Sequence, residues 1–251
     1  MSHLYERPTR ITYYDLDYSG KIKLSALLRM VHIAADVNAK ELGIGYDVLA
    51  PLGMTFVLHQ FGVSIARMPA YDEDVTIRTW PSDIIKGRFI RKGDMYDKNG
   101  VKIMEWASQW LLFDISARRL LGPSSLPVPL PQLGDEGVKI MPEKIVVPEG
   151  LLPFSYRCHT ASYRDVDTNM HINNSIYGDL IGDAIFSDPT LETPMPDWKQ
   201  VQINYLAEIR AGEEVEVSAY YNGDGSTING SIVIGESKGR RAFVARVDYH
   251  T

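Results

Sequence analysis

The chain repeats itself once. Asp15-Leu16-Asp17 returns as Asp165-Val166-Asp167 and Ile22 returns as Ile172, each at an offset of 150 residues (167 minus 17) in a chain of 251. Stacked solenoid repeats recur every ~20–50 residues, so an offset this long marks two similar subdomains instead. Each copy of the acidic turn lies between a strand-like run and a helical pattern, and further strand-like runs come after. In the first half the order is a strand at 10–14, a polar turn at 15–21 and a helix at 24–43. Leu24, Leu27, Leu28, Val31, Ala34, Ala35 and Leu42 recur there at helical spacing. Ser25 is placed to cap the start, and Gly43 to end the helix in the left-handed conformation. Strands are expected at 55–65, 74–80, 88–96 and 103–113, with a hairpin turn at Asp97-Lys98-Asn99-Gly100.

The second half runs in the same order. A strand at 155–163 leads into the turn at 164–171 and a helix at 174–186, stopped by Asp188-Pro189. Strands come next at 199–206, 214–221, 230–235 and 241–249, with a turn at Asn222-Gly223-Asp224-Gly225. Between the halves, Pro123, Pro127, Pro129, Pro131, Pro142, Pro148 and Pro153 remove the donors that a central strand or helix needs. That window reads as a partly extended linker over the surface. The expected layout is a first subdomain at 1–122, a linker at 123–153 and a second subdomain at 154–251. One helix facing an antiparallel sheet in each half is an α+β arrangement.

Charge and cysteine content narrow the setting. The formal net charge of -6 lacks the basic excess of a nucleic-acid binder. The single cysteine, Cys158, has no partner for an internal disulfide, which fits a reducing compartment, and it reads as a small core residue. No apolar run approaches the roughly 18 residues of a spanning helix, and residues 1–10 lack the apolar core of a signal segment. The expectation is a cytoplasmic protein.

The two copies differ where chemistry could reside. The second reads Asp167-Thr168-Asn169-Met170-His171-Ile172-Asn173-Asn174; the first has Ser19 in place of the Asn and Lys21 in place of the His. Alternate spacing in an extended turn would send Asp167, Asn169 and His171 to one side. A carboxylate can attack or remove a proton, an amide can fix a water or carbonyl, and an imidazole can exchange a proton near neutrality. Asn173 and Asn174 can cap the next helix, whose first N–H groups would support an oxyanion at about 3 kcal/mol per donor. One active and one degenerate copy is the economical reading.

The string from Asp165 to Tyr177 resembles the motif of the acyl-acyl-carrier-protein thioesterases, a tandem hot-dog family of plant plastids and bacteria. Similar likeness runs through Tyr14-Asp15-Leu16-Asp17, residues 107–114, Arg118-Arg119-Leu120 and the segment 201–208. The resemblance implies two tandem hot-dog subdomains, each a long helix wrapped by an antiparallel sheet. It places Asp167, Asn169 and His171 in the catalytic set, with Glu208 as a fourth member reaching in from a neighbouring strand. The implied activity is hydrolysis of fatty acyl-carrier-protein thioesters, ending chain elongation. The sequence leaves open whether an aspartate attacks or an acid activates water. Plant relatives often carry a cysteine after the fourth-position acid; here that residue is Ile209. The missing plastid transit segment points to a bacterial enzyme.

In such a fold an acyl chain would lie between helix and sheet, and Leu27, Met30, Val31, Met54 and Phe56 are the candidates to line its slot. An acidic carrier protein calls for a basic docking face. Arg88, Arg91, Lys92, Arg118 and Arg119 are candidates, with Lys86, Arg240 and Arg241 as further basic residues. The net charge of -6 opposes distant approach unless one such patch dominates. Alternatives are a thioesterase acting on coenzyme A esters, an acyl-binding or dehydratase-like protein, and an inactive structural module. His171 has no His or Cys partner at zinc-ligand spacing and there is no phosphate-binding glycine loop, so no metal and no nucleotide cofactor are expected. Tandem copies could satisfy sheet pairing within one chain, and a monomer or homodimer is expected.

Overall fold

A computed structural model of the chain describes residues 4–188, 197–223 and 228–250. Contacts divide the chain into two compact units, Met1–Thr12 with Arg29–Pro142 and Tyr13–Leu28 with Glu143–Thr251. The first acidic turn and the first residues of the long helix therefore group with the second half of the sequence.

In the first unit, β1 (Tyr5–Arg10) precedes the turn, and α1 (Leu24–Glu41) contributes its residues from Arg29 onward. After the short α2 (Tyr46–Leu49) come β2 (Met54–Ile65), β3 (Asp74–Ile85), β4 (Arg88–Asp97), β5 (Lys102–Asp114) and β6 (Arg119–Leu121). The strands pair antiparallel in the order β1-β3-β4-β5-β2, with β6 also on β5. The expected first strand at 10–14 is displaced. Pro8 sits within β1, where it is tolerated because β1 is the sheet edge, and Tyr13–Asp15 form a 3-10 turn instead. Gly43 is left-handed at φ 73°, as the helix stop requires.

β4 is covered on both faces, which alternation alone does not reveal. Arg91 donates to Asn38 Oδ1 of α1 at 2.8 Å, while Lys92 Nζ donates to Val138 O of the linker at 2.8 Å and pairs with Asp135. Trp80 Nε1 and Ser82 Oγ likewise donate to Gly134 O, and Gln109 to Pro142 O. Beyond a 3-10 turn at Pro123–Ser125 and a turn closed by Val138 N–H on Asp135 O, the segment after β6 accepts hydrogen bonds through its carbonyls from side chains of the strands it crosses.

The second unit contains β7 (Ser155–Thr160), α3 (Ile176–Phe186), β8 (Trp198–Tyr205), β9 (Glu214–Gly223), β10 (Ile228–Ser237) and β11 (Arg240–Tyr249). Its antiparallel order is β8-β11-β10-β9-β7. Cys158 lies on the edge strand β7 and is exposed, so it is not the core residue expected. Residues Glu143–Leu151 close one face: Asn204 exchanges hydrogen bonds with Glu143 O and Ile145 N, and Ile145, Val147 and Leu151 pack on Ile232, Ile234 and Val244. α3 crosses the first residues of α1 very closely. A Cβ on Gly178 would lie 2.5 Å from Ser25 N, and the Ser25 hydroxyl donates to Asp179 rather than capping its own helix. Pro189 and the Asp224-Gly225 part of the expected turn lie outside the described residues; Asn222 and Gly223 belong to β9. Among the described residues no helix is long and apolar enough to cross a membrane. Each unit sets helix against antiparallel sheet, an α+β fold.

Candidate active site

The second acidic turn is a tight reversal, not the extended segment expected. Asp167 N–H donates to His171 O and Met170 N–H to Asp167 O, each at 3.0 Å, with Met170 left-handed at φ 61°. Asp167 Oδ1 accepts the Asn169 N–H at 2.8 Å, the side-chain-to-backbone bond that aspartates make in turns. The Asn169 side chain itself faces solvent. The base of the turn is fixed by Asp165, which accepts from Ser162 N–H and Oγ and lies 3.0 Å from His159 Nε2. Burial alone would raise the Asp165 carboxyl, but these partners outweigh it and hold the group below the usual carboxylate range. Asp165 is therefore an anchor.

A second segment is tied to this turn. Ile172 N–H donates to Ile209 O at 2.8 Å, Ala211 N–H to Met170 O at 3.1 Å, and His171 and Arg210 face each other as a β-bridge. The stem of that segment is held in turn, because Leu206 and Ala207 N–H both donate to Ala242 O. The result is that Glu208 Oε2 stands 3.1 Å from His171 Nε2 and 3.8 Å from the Arg210 guanidinium. The His171 side chain is 25% exposed and that of Glu208 43%, so the pair is open to a ligand. A carboxylate beside an imidazole, with a second carboxylate on the same turn, can take a proton from water and return one to a leaving group. Arg210 carried no signal in sequence beyond standing two residues after Glu208.

The helix start differs from expectation. α3 begins at Ile176, not at 174, and Asn173 uses its side chain on the turn: Oδ1 accepts from Ser175 N–H at 3.0 Å and Ser175 Oγ at 2.8 Å. Ile176 N–H donates to Asn173 O and Gly178 N–H to Ser175 O. Those donors are engaged and are not free for an oxyanion. Asn174 offers its carbonyl to Tyr205 Oη at 3.4 Å.

Of the five slot candidates, Met54 and Phe56 pack with Ile44, Leu49, Phe89 and Leu112, and Leu27, Met30 and Val31 lie along α1. Of the basic candidates, Arg88, Arg118 and Arg119 are exposed. Arg91 and Lys92 are buried, 9% and 2% exposed, and present no charge to a partner. Burial pulls the Arg91 guanidinium down to about 10. Sequence adjacency failed here because both faces of β4 are covered. Ile209, where plant relatives often carry a cysteine, is fully buried.

Two family models match the chain. The acyl-ACP thioesterase N-terminal domain matches residues 2–122 and the acyl-ACP thioesterase C-terminal domain residues 155–251. Comparison with curated proteins gives no match. Among solved structures, an acyl-ACP thioesterase from Bacteroides thetaiotaomicron is similar with a TM-score of 0.83 at 21% identity, covering 100% of both chains. The 12:0-ACP thioesterase from Umbellularia californica is similar with a TM-score of 0.83 at 16% identity, covering 100% of this chain and 98% of that one. At these identities the likeness is one of fold. The two family matches together span most of the sequence, each over one copy of the acidic turn, and the chain belongs to the acyl-ACP thioesterase family of thioester hydrolases.

Proposed function

We propose that this enzyme hydrolyses fatty acyl thioesters carried on acyl carrier protein, releasing free fatty acid and ending chain elongation. In this reading the two copies are tandem hot-dog subdomains, the second catalytic and the first binding the acyl chain. Asp167, Asn169, His171 and Glu208 form the catalytic set. The observation that carries the reading is the 3.1 Å pairing of His171 with Glu208 beside the Asp167 turn. Glu208 takes a proton from water as its oxygen attacks the thioester carbon. The carbon–sulfur bond then breaks, and His171 returns a proton to the departing thiolate. Asp167 and Asn169 orient the water and the thioester. Arg88, Arg118 and Arg119 remain as cations for an acidic carrier.

The test is hydrolysis of matched acyl-carrier-protein and acyl-coenzyme A thioesters by wild type and by Glu208→Gln. Free-acid release that favours the carrier protein and falls by about 10²–10⁴-fold in the variant is the expected result. A preference for coenzyme A esters would move the substrate class to nucleotide thioesters. Absence of release from every thioester would leave an acyl-binding or dehydratase-like reading.

A further inference from the structure

The Arg210 side chain starts from a fixed point beside the catalytic turn. Its backbone N–H is accepted by Glu213 Oε2 at 3.2 Å, and its carbonyl accepts from Glu213 N–H at 3.0 Å. The residue forms the β-bridge with His171, between the fully buried Ile209 and Ala211, whose N–H donates to Met170 O. The nearby Glu213 carboxylate pairs with Lys238 at 2.7 Å. Among the described residues the one ion-pair partner of the Arg210 guanidinium is Glu208, whose Oε2 lies 3.8 Å away. That is too long for a hydrogen bond. The N–H donors of the guanidinium are thus uncommitted among the described residues, and the side chain is 54% exposed.

His171 Nε2 stands 3.1 Å from the same Oε2, so an imidazole and a guanidinium converge on one carboxylate oxygen. A water activated by Glu208 lies about 3 Å from the carboxylate, and the thioester carbon about 3–3.5 Å from that water. The carbonyl oxygen therefore comes within a few ångströms of Glu208, the range in which the guanidinium stands. During attack the water oxygen bonds to carbon, Glu208 takes one water proton, and the carbonyl π pair moves to oxygen. Negative charge passes from the Glu208 carboxylate to the carbonyl oxygen. A cation hydrogen-bonded to Glu208 would oppose that transfer by stabilising the state before it. One held at 3.8 Å breaks no hydrogen bond to follow the charge, and so can bind the transition state more strongly than the ground state.

We propose that Arg210 is a catalytic residue whose guanidinium donates to the thioester carbonyl oxygen as that oxygen takes on negative charge. When the electron pair returns, the carbon–sulfur bond breaks and the thiolate leaves with the proton from His171. The proposal rests on the hydrolase reading of this site. Arg210→Gln removes the cation and leaves both backbone bonds in place. It is expected to lower kcat by about 10²-fold, with KM changed by less than about threefold and thermal stability close to wild type. A kcat within about twofold of wild type, in an enzyme that loses activity on Glu208→Gln, would overturn the role of Arg210 and leave the hydrolase reading standing. A wild type that hydrolyses no thioester would overturn both.

A second measurement separates this role from simple substrate binding. A trifluoromethyl ketone analogue of the best substrate binds as a hydrate that mimics the tetrahedral intermediate, whereas a thioether analogue has no carbonyl oxygen. In titration calorimetry Arg210→Gln should weaken the ketone by at least about tenfold and the thioether by less than about twofold. Equal weakening of both would make Arg210 a contact to the body of the substrate, and an unchanged ketone would place it away from the oxyanion. Either result overturns the proposal.

Discussion

In both acidic turns the aspartate N–H donates to the carbonyl four residues on, Asp17 to Lys21 O at 2.7 Å and Asp167 to His171 O at 3.0 Å. Both place a left-handed residue at the same step, Gly20 at φ 80° and Met170 at φ 61°. Both return to the preceding acid, with Lys23 N–H on Asp15 O and Asn173 N–H on Asp165 O at 2.8 Å each. The backbones match; the carboxylates do not. Asp17 Oδ1 accepts from Ser19 N–H, Ser19 Oγ and Lys21 N–H, whereas among the described residues Asp167 Oδ1 accepts from Asn169 N–H alone. The residue after the reversal also differs. Lys21 pairs with the exposed Asp197 at 2.7 Å, and His171 pairs with Glu208. One scaffold thus serves two ends: a carboxylate occupied by its own turn stabilises that turn, and one left with spare acceptor capacity is available to a substrate.

The sharpest way to break this comparison is to neutralise each acid. Asp167→Asn should reduce thioester hydrolysis by about 10³-fold, which is about 4 kcal/mol of barrier, and Asp17→Asn by less than about threefold. Equal losses in steady-state kinetics would end the distinction between the turns. The next effect concerns the helix behind each turn, where α3 meets the start of α1. Gly178→Ala forces a Cβ to 2.5 Å from Ser25 N, which is backbone and cannot swing aside, and should cost about 3 kcal/mol in denaturant unfolding. A neutral result would show that the two helix starts can separate freely.

Stability should reverse the ranking seen in activity. Asp17→Ala removes an acceptor of three bonds and should cost about 2 kcal/mol, against about 1 kcal/mol for Asp167→Ala, which removes an acceptor of one. Denaturation midpoints in the opposite order would overturn the assignment of Asp17 to structure. The smallest effect lies at the left-handed step. Met170→Gly relieves a conformation that costs a side-chain-bearing residue about 1–2 kcal/mol, but frees the unfolded chain, so a gain under about 1 kcal/mol is expected. A loss of stability would mean that the Met170 side chain contributes to the turn.

Much of this was legible in sequence, because it depends on local chemistry and period. The strands of both sheets fall within a few residues of expectation, and α1 differs mainly at its end, Glu41 against 43. Alternation and turn residues report on backbone pairing that each segment largely determines for itself. The misreadings have a common cause. β1 was displaced because Pro8 speaks against a strand unless the strand is known to be an edge. Ser25 reads as a cap, but its hydroxyl donates to Asp179, distant in sequence. Arg91 and Lys92 read as a surface pair because nothing local announces that α1 covers one face of β4 and the linker the other.

By itself the sequence determined that an acidic turn recurs in both halves of the chain, that the second copy keeps Asp, Asn and His where the first keeps Asp, Ser and Lys, and that a proline-rich segment lies between them. Those are properties of residue type and spacing, which survive without any knowledge of distant contacts. Only the tertiary structure decided which acid meets His171 and which basic residues remain outside. Each of these joins residues tens of positions apart through sheet register and helix packing, and no local pattern records where a distant segment will come to rest.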